Sequence, residues 1–304
     1  RKRGAACRLV VLGYRIPQVA GERAVGSCSG LSSVHLGRDA ERICVGSLPE
    51  AGMSFPVFVG HDSREEDAFR VCQFSLYDKT TVPIQVHSMK HRELRQLGLF
   101  SRPWRIGETG QYVDERDGKP FSTEFSHLRF LVPALADLVR MRSAWALFCD
   151  CDFLFRADVG DLFALANPKY AVMVVKHDFA PPEGEKMDGM AQLRYRRKNW
   201  SSLILWNLAH PLNRDLTAAQ VNEETGAWLH AFGWLPDEAI GALPVEWNWL
   251  VGHSPPDIDP KAVHFTEGGP WFEKYRDVPY AEEWRRALAA SMHPRPSVIE
   301  RMSK

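Results

Sequence analysis

Residues 144–155 read Ala144-Trp145-Ala146-Leu147-Phe148-Cys149-Asp150-Cys151-Asp152-Phe153-Leu154-Phe155, and the reading of this stretch decides the fold. An apolar, aromatic run leads into two carboxylates at i and i+2 and resumes beyond them, which predicts a buried strand carrying Asp150 and Asp152 at its tip. On an extended backbone these positions share a face, so both acids can converge on one ligand. Like charges paired beside a core require a counter-charge, and a divalent cation with a phosphate-bearing substrate is the commonest source. Cys149 and Cys151 alternate with the acids and read as buried packing on the opposite face.

Composition sets the outer bounds. The chain has 304 residues, 45% hydrophobic and 11% aromatic, with 38 basic against 38 acidic side chains. That apolar content is ample for a substantial core. Balanced charge argues against a general nucleic-acid binder, which needs a clustered basic excess. No apolar run approaches the ~20 residues that span a bilayer, and too short an apolar segment follows Arg1-Lys2-Arg3 for a signal peptide. Six cysteines without a CxxC pair fit reduced thiols, so a cytoplasmic location is expected, with peripheral membrane association left open.

Residues 1–52 are rich in Gly, Ser, Arg and Ala and hold none of the ten tryptophans. They are expected to form a poorly ordered leader outside the fold, with a natural start at Met53 and a single domain over 53–304. Phe55–Gly60 reads as the first core strand, ending at His61-Asp62-Ser63-Arg64 before a helical pattern through Leu76. Residues 83–87 suit a second strand, 89–99 a polar helix and 101–121 a loop. Ser122 or Thr123 then caps a helix with an apolar face from Phe125 to Val139, kinked or divided by Pro133. After the acids come a short helix over 157–165, a strand over 169–175 ending at Lys176-His177-Asp178, a loop over 181–196, and strands over 200–206 and 262–265. This alternation predicts an α/β fold, Rossmann-like, with a mainly parallel sheet flanked by helices and ligands bound beyond the carboxyl ends of strands.

The ordered set Asp62, Arg129, Asp150-x-Asp152, Asn199-x-Ser201, Trp234-Leu-Pro-Asp237-Glu238, Leu243-Pro-Val-Glu-Trp247-Asn248 and His264-Phe-Thr266-Glu-Gly268-Gly269-Pro-Trp271 resembles the GT-A glycosyltransferases. Within them it resembles bacterial-type members of glycosyltransferase family 8, over about residues 55–271. The resemblance implies metal-dependent transfer of a sugar, with retention, from a nucleotide-diphosphate sugar to an unknown carbohydrate, lipid or protein acceptor. A UDP-sugar is the implied donor. It implies Mn²⁺ or Mg²⁺ held by Asp150, Asp152 and His264, and an imidazole in the set favours Mn²⁺. It places Asp62 at the base or ribose, Arg129 on the donor, and Asn199 with Ser201 in the donor-sugar pocket. Asp237 resembles the carboxylate that grips sugar hydroxyls, and Glu238 stands where the family has Gln, with a covalent role as the less favoured option. Where the family carries a late lysine this chain has Gly268-Gly269, so their N–H groups, or Lys198, are expected on the diphosphate.

Plainer readings stand beside these. His264 also suits a satisfied core histidine, Asp150 and Asp152 a solvated strand end, and Asp62 and Asp237 ordinary turn residues. His177 and Asp178 either line the sugar pocket or cap a helix. Residues 194–198 are a solvated basic loop or a cover over the donor, and most tryptophans of the second half are core. Two other functions compete: a non-catalytic nucleotide- or sugar-binding module, and a phosphatase of haloacid-dehalogenase type. The latter places its acid pair on the first strand and follows it with Thr or Val, whereas here Phe153 follows.

Overall fold

The computed structural model describes residues 10–11, 14–15, 54–108, 110–178, 184–186, 190–192 and 197–293. The expectation of a leader over 1–52 therefore lies outside the described residues, apart from β1 (Val10–Val11) and β2 (Tyr14–Arg15), which pair antiparallel. β3 (Phe55–Gly60) is buried along its whole length, as a central parallel strand must be. Its last residue has to be glycine, because a Cβ on Gly60 would stand 2.4 Å from the Phe125 ring. α1 (Glu66–Lys79) crosses back to β4 (Ile84–Met89), which pairs parallel with β3.

The chain then returns to the other side of β3. α2 (His91–Gln96) is followed by β5 (Trp104–Ile106), β6 (Tyr112–Asp114) and β7 (Pro120–Phe121), a small antiparallel sheet where a loop was expected. Strands of two or three residues are too short to show alternation. They are held instead by rings, with Trp104 4.8 Å from Tyr112 and 6.0 Å from Phe121, and by the buried Arg102–Asp114 ion pair. The helix expected from 122 is divided near Pro133, as anticipated, but its first part is not α-helical. A turn leads into a 3₁₀ segment, Leu128–Leu131, and then α3 (Val132–Leu138), with Pro133 in the first α turn. Proline is tolerated there and not deeper, so the division falls where its ring requires.

β8 (Trp145–Cys149) pairs parallel with β3, and β9 (Phe153–Phe155) leaves for a second sheet. α4 (Val159–Phe163), β10 (Val172–Val175), β11 (Gly184–Lys186) and β12 (Met190–Gln192) follow. The last two form an antiparallel pair inside the stretch read as a loop. β13 (Leu203–Asn207), α5 (Pro211–Arg214), α6 (Ala218–Glu223) and α7 (Gly226–His230) lead to β14 (Ile240–Leu243). β15 (Trp249–Leu250), β16 (Ala262–His264) and α8 (Ala281–Ser291) complete the described chain.

The main sheet runs β14-β10-β13-β8-β3-β4, and a second sheet runs β15-β16-β9. The main sheet is mainly parallel, as expected, with β13 inserted antiparallel between β10 and β8. Because β4 lies on one side of β3 and β8 on the other, the strand order reverses at the β3/β8 boundary, where α/β sheets open a crevice for ligands. The main core fills both faces of this sheet, and a second cluster of Val71, Leu154, Trp249, Val263, Phe265 and Trp284 packs α1 and α8 against the smaller sheet. Of the second-half tryptophans read as mostly core, Trp206, Trp247 and Trp249 are buried while Trp200, Trp228, Trp234 and Trp271 pack half-buried against the core, and Cys149 and Cys151 are fully buried. Among the described residues no helix is long and apolar enough to cross a membrane.

Candidate metal centre

The acid pair sits where the chain passes from one sheet to the other. Asp150 directly follows the last residue of β8, as a strand tip requires, while Cys151 and Asp152 form the turn into β9 in place of the extended backbone expected. The convergence of the two acids therefore comes from backbone bonds across the seam. Asp150 N–H donates to Ser202 O at 2.9 Å, and Phe265 N–H donates to Asp152 O at 3.0 Å. β16 pairs β9 with His264 opposite Phe153, and the imidazole stacks on that ring at 4.5 Å. One ligand atom from each of Asp150, Asp152 and His264 lies within 4.8 Å of the other two.

Arg129 secures the first acid. Its Nη1 stands 2.9 Å from Asp150 Oδ1 and donates to Ser201 O at 2.8 Å, while Nε donates to Ser126 O at 3.2 Å. The guanidinium lies over the Phe125 and Phe148 rings and is buried. Arg129 thus holds Asp150 from within the protein. Two carboxylates and one guanidinium leave one net negative charge, which a divalent cation would convert into one positive charge facing a ligand. His264 Nε2 lies 3.4 Å from Asp152 Oδ2 on the far side. Oxygen donors from two acids with one imidazole nitrogen, held together in a seam of low exposure, fit a divalent metal ion.

The remaining sequence-derived residues fall into four groups. Asn199 and Ser201 lie beside the trio, both buried. Asn199 Oδ1 accepts from Thr266 Oγ1 at 3.3 Å, and Ser201 Oγ lies 2.7 Å from His230 Nδ1. Lys198, next in the chain, is 6% exposed. Asp62, two residues beyond β3, is fully buried, with Arg64 donating to both its oxygens (Nε at 2.9 Å, Nη2 at 2.6 Å) and Glu124 N–H donating at 3.0 Å. It presents Arg64 at the crevice, where that guanidinium covers the Tyr112 ring at 4.4 Å.

Asp237 and Glu238 lie exposed in a short 3₁₀ turn, with Asp237 paired to Arg197. Gly268 N–H closes a turn on Phe265 O at 2.8 Å, which moves the phosphate-binding expectation from that amide to Gly269. Trp271 donates from Nε1 to the buried carboxylate of Glu65 at 3.2 Å and so ties the late motif to the start of α1.

Sequence reasoning quoted Asn248 without giving it a role, yet its Oδ1 lies 2.8 Å from His264 Nδ1. His177 was expected at a strand end, either lining the sugar pocket or capping a helix. It stands against Asn248 and His264, and burial, reinforced by His264, pushes its imidazole down to about 4.

The architecture is a mixed α/β fold of the GT-A glycosyltransferase type. It resembles the WbbM bifunctional glycosyltransferase (apo structure) at a TM-score of 0.52 and 15% identity, over 81% of this chain and 51% of that one. The chain therefore spans about half of that protein. It also overlays the glycosyltransferase GlyE of Streptococcus pneumoniae TIGR4 at a TM-score of 0.49 and 13% identity, over 78% of this chain and 61% of that one. No family model matches the sequence. At 45% identity over 235 residues, 76% of this chain and 84% of its relative, the chain belongs to the family of Protein CDI from Arabidopsis thaliana.

Proposed function

We propose that the protein is a metal-dependent glycosyltransferase that moves a sugar from a nucleotide-diphosphate sugar, a UDP-sugar by preference, to a carbohydrate, lipid or protein acceptor, with retention. The observation that carries the reading is the Asp150, Asp152 and His264 trio at the sheet seam, beside the crevice where the strand order reverses. The motif resemblance to family 8 supports the donor class and the stereochemistry. A bound Mn²⁺, favoured over Mg²⁺ by the imidazole, would supply Lewis-acid neutralisation of the departing diphosphate.

The chain's own residues do the rest. Asp150, fixed by Arg129, and Asp152, beside His264, orient the pyrophosphate end of the donor. The Gly269 amide and Lys198 bind its oxygens. Arg64, presented by Asp62, borders the base or ribose, and Asn199 and Ser201 shape the wall of the sugar pocket. Asp237 grips sugar hydroxyls, with its pairing to Arg197 setting its orientation, and Glu238 lies next to it at the reacting face. Retention is read as front-face attack, with the leaving phosphate accepting the acceptor's proton.

The test is Mn²⁺-dependent UDP binding and slow UDP release from UDP-sugars. Asp152→Asn is expected to abolish both while leaving the circular dichroism spectrum unchanged. Wild-type activity in that variant would remove Asp152 from the mechanism, and phosphomonoester hydrolysis without nucleotide binding would favour a phosphatase.

A further inference from the structure

Asn248 ends the 3₁₀ turn that leads into β15 and is fully buried. Its Nδ2 donates to Ser202 Oγ at 2.9 Å and to the Asn199 carbonyl at 3.2 Å. Ser202 Oγ donates its own proton to that same carbonyl at 2.7 Å, so a lone pair of the hydroxyl faces Asn248. Carbonyl oxygens only accept. The side of the amide turned toward Ser202 and Asn199 must therefore be its NH₂, which leaves Oδ1 facing His264 Nδ1 at 2.8 Å. An amide oxygen also only accepts, so Nδ1 carries the proton. With that proton fixed on Nδ1, Nε2 is the nitrogen turned toward Asp152 Oδ2, 3.4 Å away.

The opposite tautomer would need the amide flipped. That would set Asn248 Oδ1 against the Asn199 carbonyl oxygen, two acceptors with no proton between them. The anchor of the whole arrangement is the Asn199 backbone, held in the left-handed region at φ 63°, whose carbonyl collects the Ser202 Oγ and Asn248 Nδ2 bonds together with a longer one from Ser202 N–H at 3.4 Å.

We infer that Asn248 is a positioning residue that holds His264 in the Nδ1–H tautomer and thereby makes Nε2 the donor facing the two acids. The inference rests on the reading of the trio as a cation site and deepens it: the site's imidazole is set before any ion arrives. Partners of this kind orient metal-binding histidines in general, and their loss weakens metal affinity about 10–100-fold.

Two measurements test it. The first is a long-range ¹H–¹⁵N correlation of the histidine rings in the metal-free protein at pH 8, with His264 assigned by the signals lost in His264→Gln. A pyrrole-type Nδ1 and a pyridine-type Nε2 are expected. The reverse tautomer, or a doubly protonated ring, overturns the inference. The second is calorimetric titration with Mn²⁺ alone. Asn248→Leu is expected to weaken binding about 10–100-fold, and Asn248→Asp, which keeps an acceptor for Nδ1–H, to recover most of the loss. Wild-type Mn²⁺ affinity in a folded Asn248→Leu protein would make the residue merely structural and overturn the assignment. If Asn248→Leu does not fold, the spectrum of the unmutated protein decides. If that protein binds no Mn²⁺ at all, the metal reading fails, and the tautomer measurement still decides the role of Asn248.

Discussion

Arg129→Met removes a guanidinium while leaving an unbranched side chain in its place, and the consequence should be read at Asp150. Arg129 is buried and Asp150 nearly so, at 6% and 13% side-chain exposure. Taking one partner from a buried pair strands the other charge and costs about 3–5 kcal/mol. For a domain of this size each kcal/mol moves the melting midpoint by about 2–4 °C, so a fall of about 6–20 °C is expected. Arg129 also donates to Ser201 O and Ser126 O, so the single variant loses more than one interaction. A cycle with Asp150→Asn separates them. The carbonyl contacts vanish equally in Arg129→Met and in the double variant and cancel, leaving the charge–charge coupling. Adding Asp150→Asn to Arg129→Met should therefore recover about 1–3 kcal/mol, since the stranded carboxylate is gone. Urea unfolding in the presence of EDTA, followed by circular dichroism and tryptophan fluorescence, measures all four corners. Single costs that add to the double within about 0.5 kcal/mol would refute the claim that Arg129 acts as the counter-charge of Asp150.

Three further outcomes are expected. Burial, with Arg102 nearby, pushes the His127 imidazole down to about 3. Its folded value lies below the unfolded one of ~6.5, so its stabilisation is complete above that pH and is lost as pH falls toward 3, by about 2 kcal/mol at pH 5. His127→Gln should flatten the decline of the urea midpoint between pH 7 and pH 5, and an unchanged slope would clear His127. Gly268→Ala places a Cβ 2.6 Å from the Tyr275 ring at φ +136°, and should cost about 1–3 kcal/mol in thermal unfolding; a neutral effect would mean that the turn adapts. Cys72, Cys149 and Cys151 are fully buried, and burial raises the thiols of Cys149 and Cys151. Mapped alkylation at pH 7.5 should leave all three intact until the protein unfolds, and early modification would contradict their burial.

The main strands were legible because burial on both faces writes an uninterrupted apolar run, as in Phe55–Gly60, Trp145–Cys149 and Val172–Val175. Their polar endings then marked the carboxyl edge, at which α/β sheets in general bind ligands. The direction of β13 was not legible, since a buried antiparallel strand carries the same apolar run as a parallel one. The sheet of β5, β6 and β7 escaped because its cohesion lies in contacts between Trp104, Tyr112 and Phe121, which sequence spacing does not express. Asp62 shows a different limit. Its type and place suit a ligand contact, yet its oxygens are taken by Arg64 and Glu124, a fact set by residues two and sixty-two positions away.

The trio of Asp150, Asp152 and His264 illustrates how a juxtaposition can be anticipated for a partly mistaken reason. The i, i+2 rule brought Asp150 and Asp152 together on an extended strand, but the chain turns at Cys151 and Asp152. The geometry of the acids comes from Ser202 O and from the Asp152 carbonyl that receives Phe265 N–H. His264 is fixed by register, because β16 is paired on both edges, with β15 and with β9. A slip of one residue would set Val263 or Phe265 opposite Phe153 and send the imidazole to the other face of the sheet. Slippage on one edge would have to break the ladder on the other, so the two-sided pairing holds the third donor in place. The centre is therefore built into the seam between two sheets, and Asn248, arriving from the 3₁₀ turn before β15, adds the one property that register cannot supply: which nitrogen of the ring faces the acids.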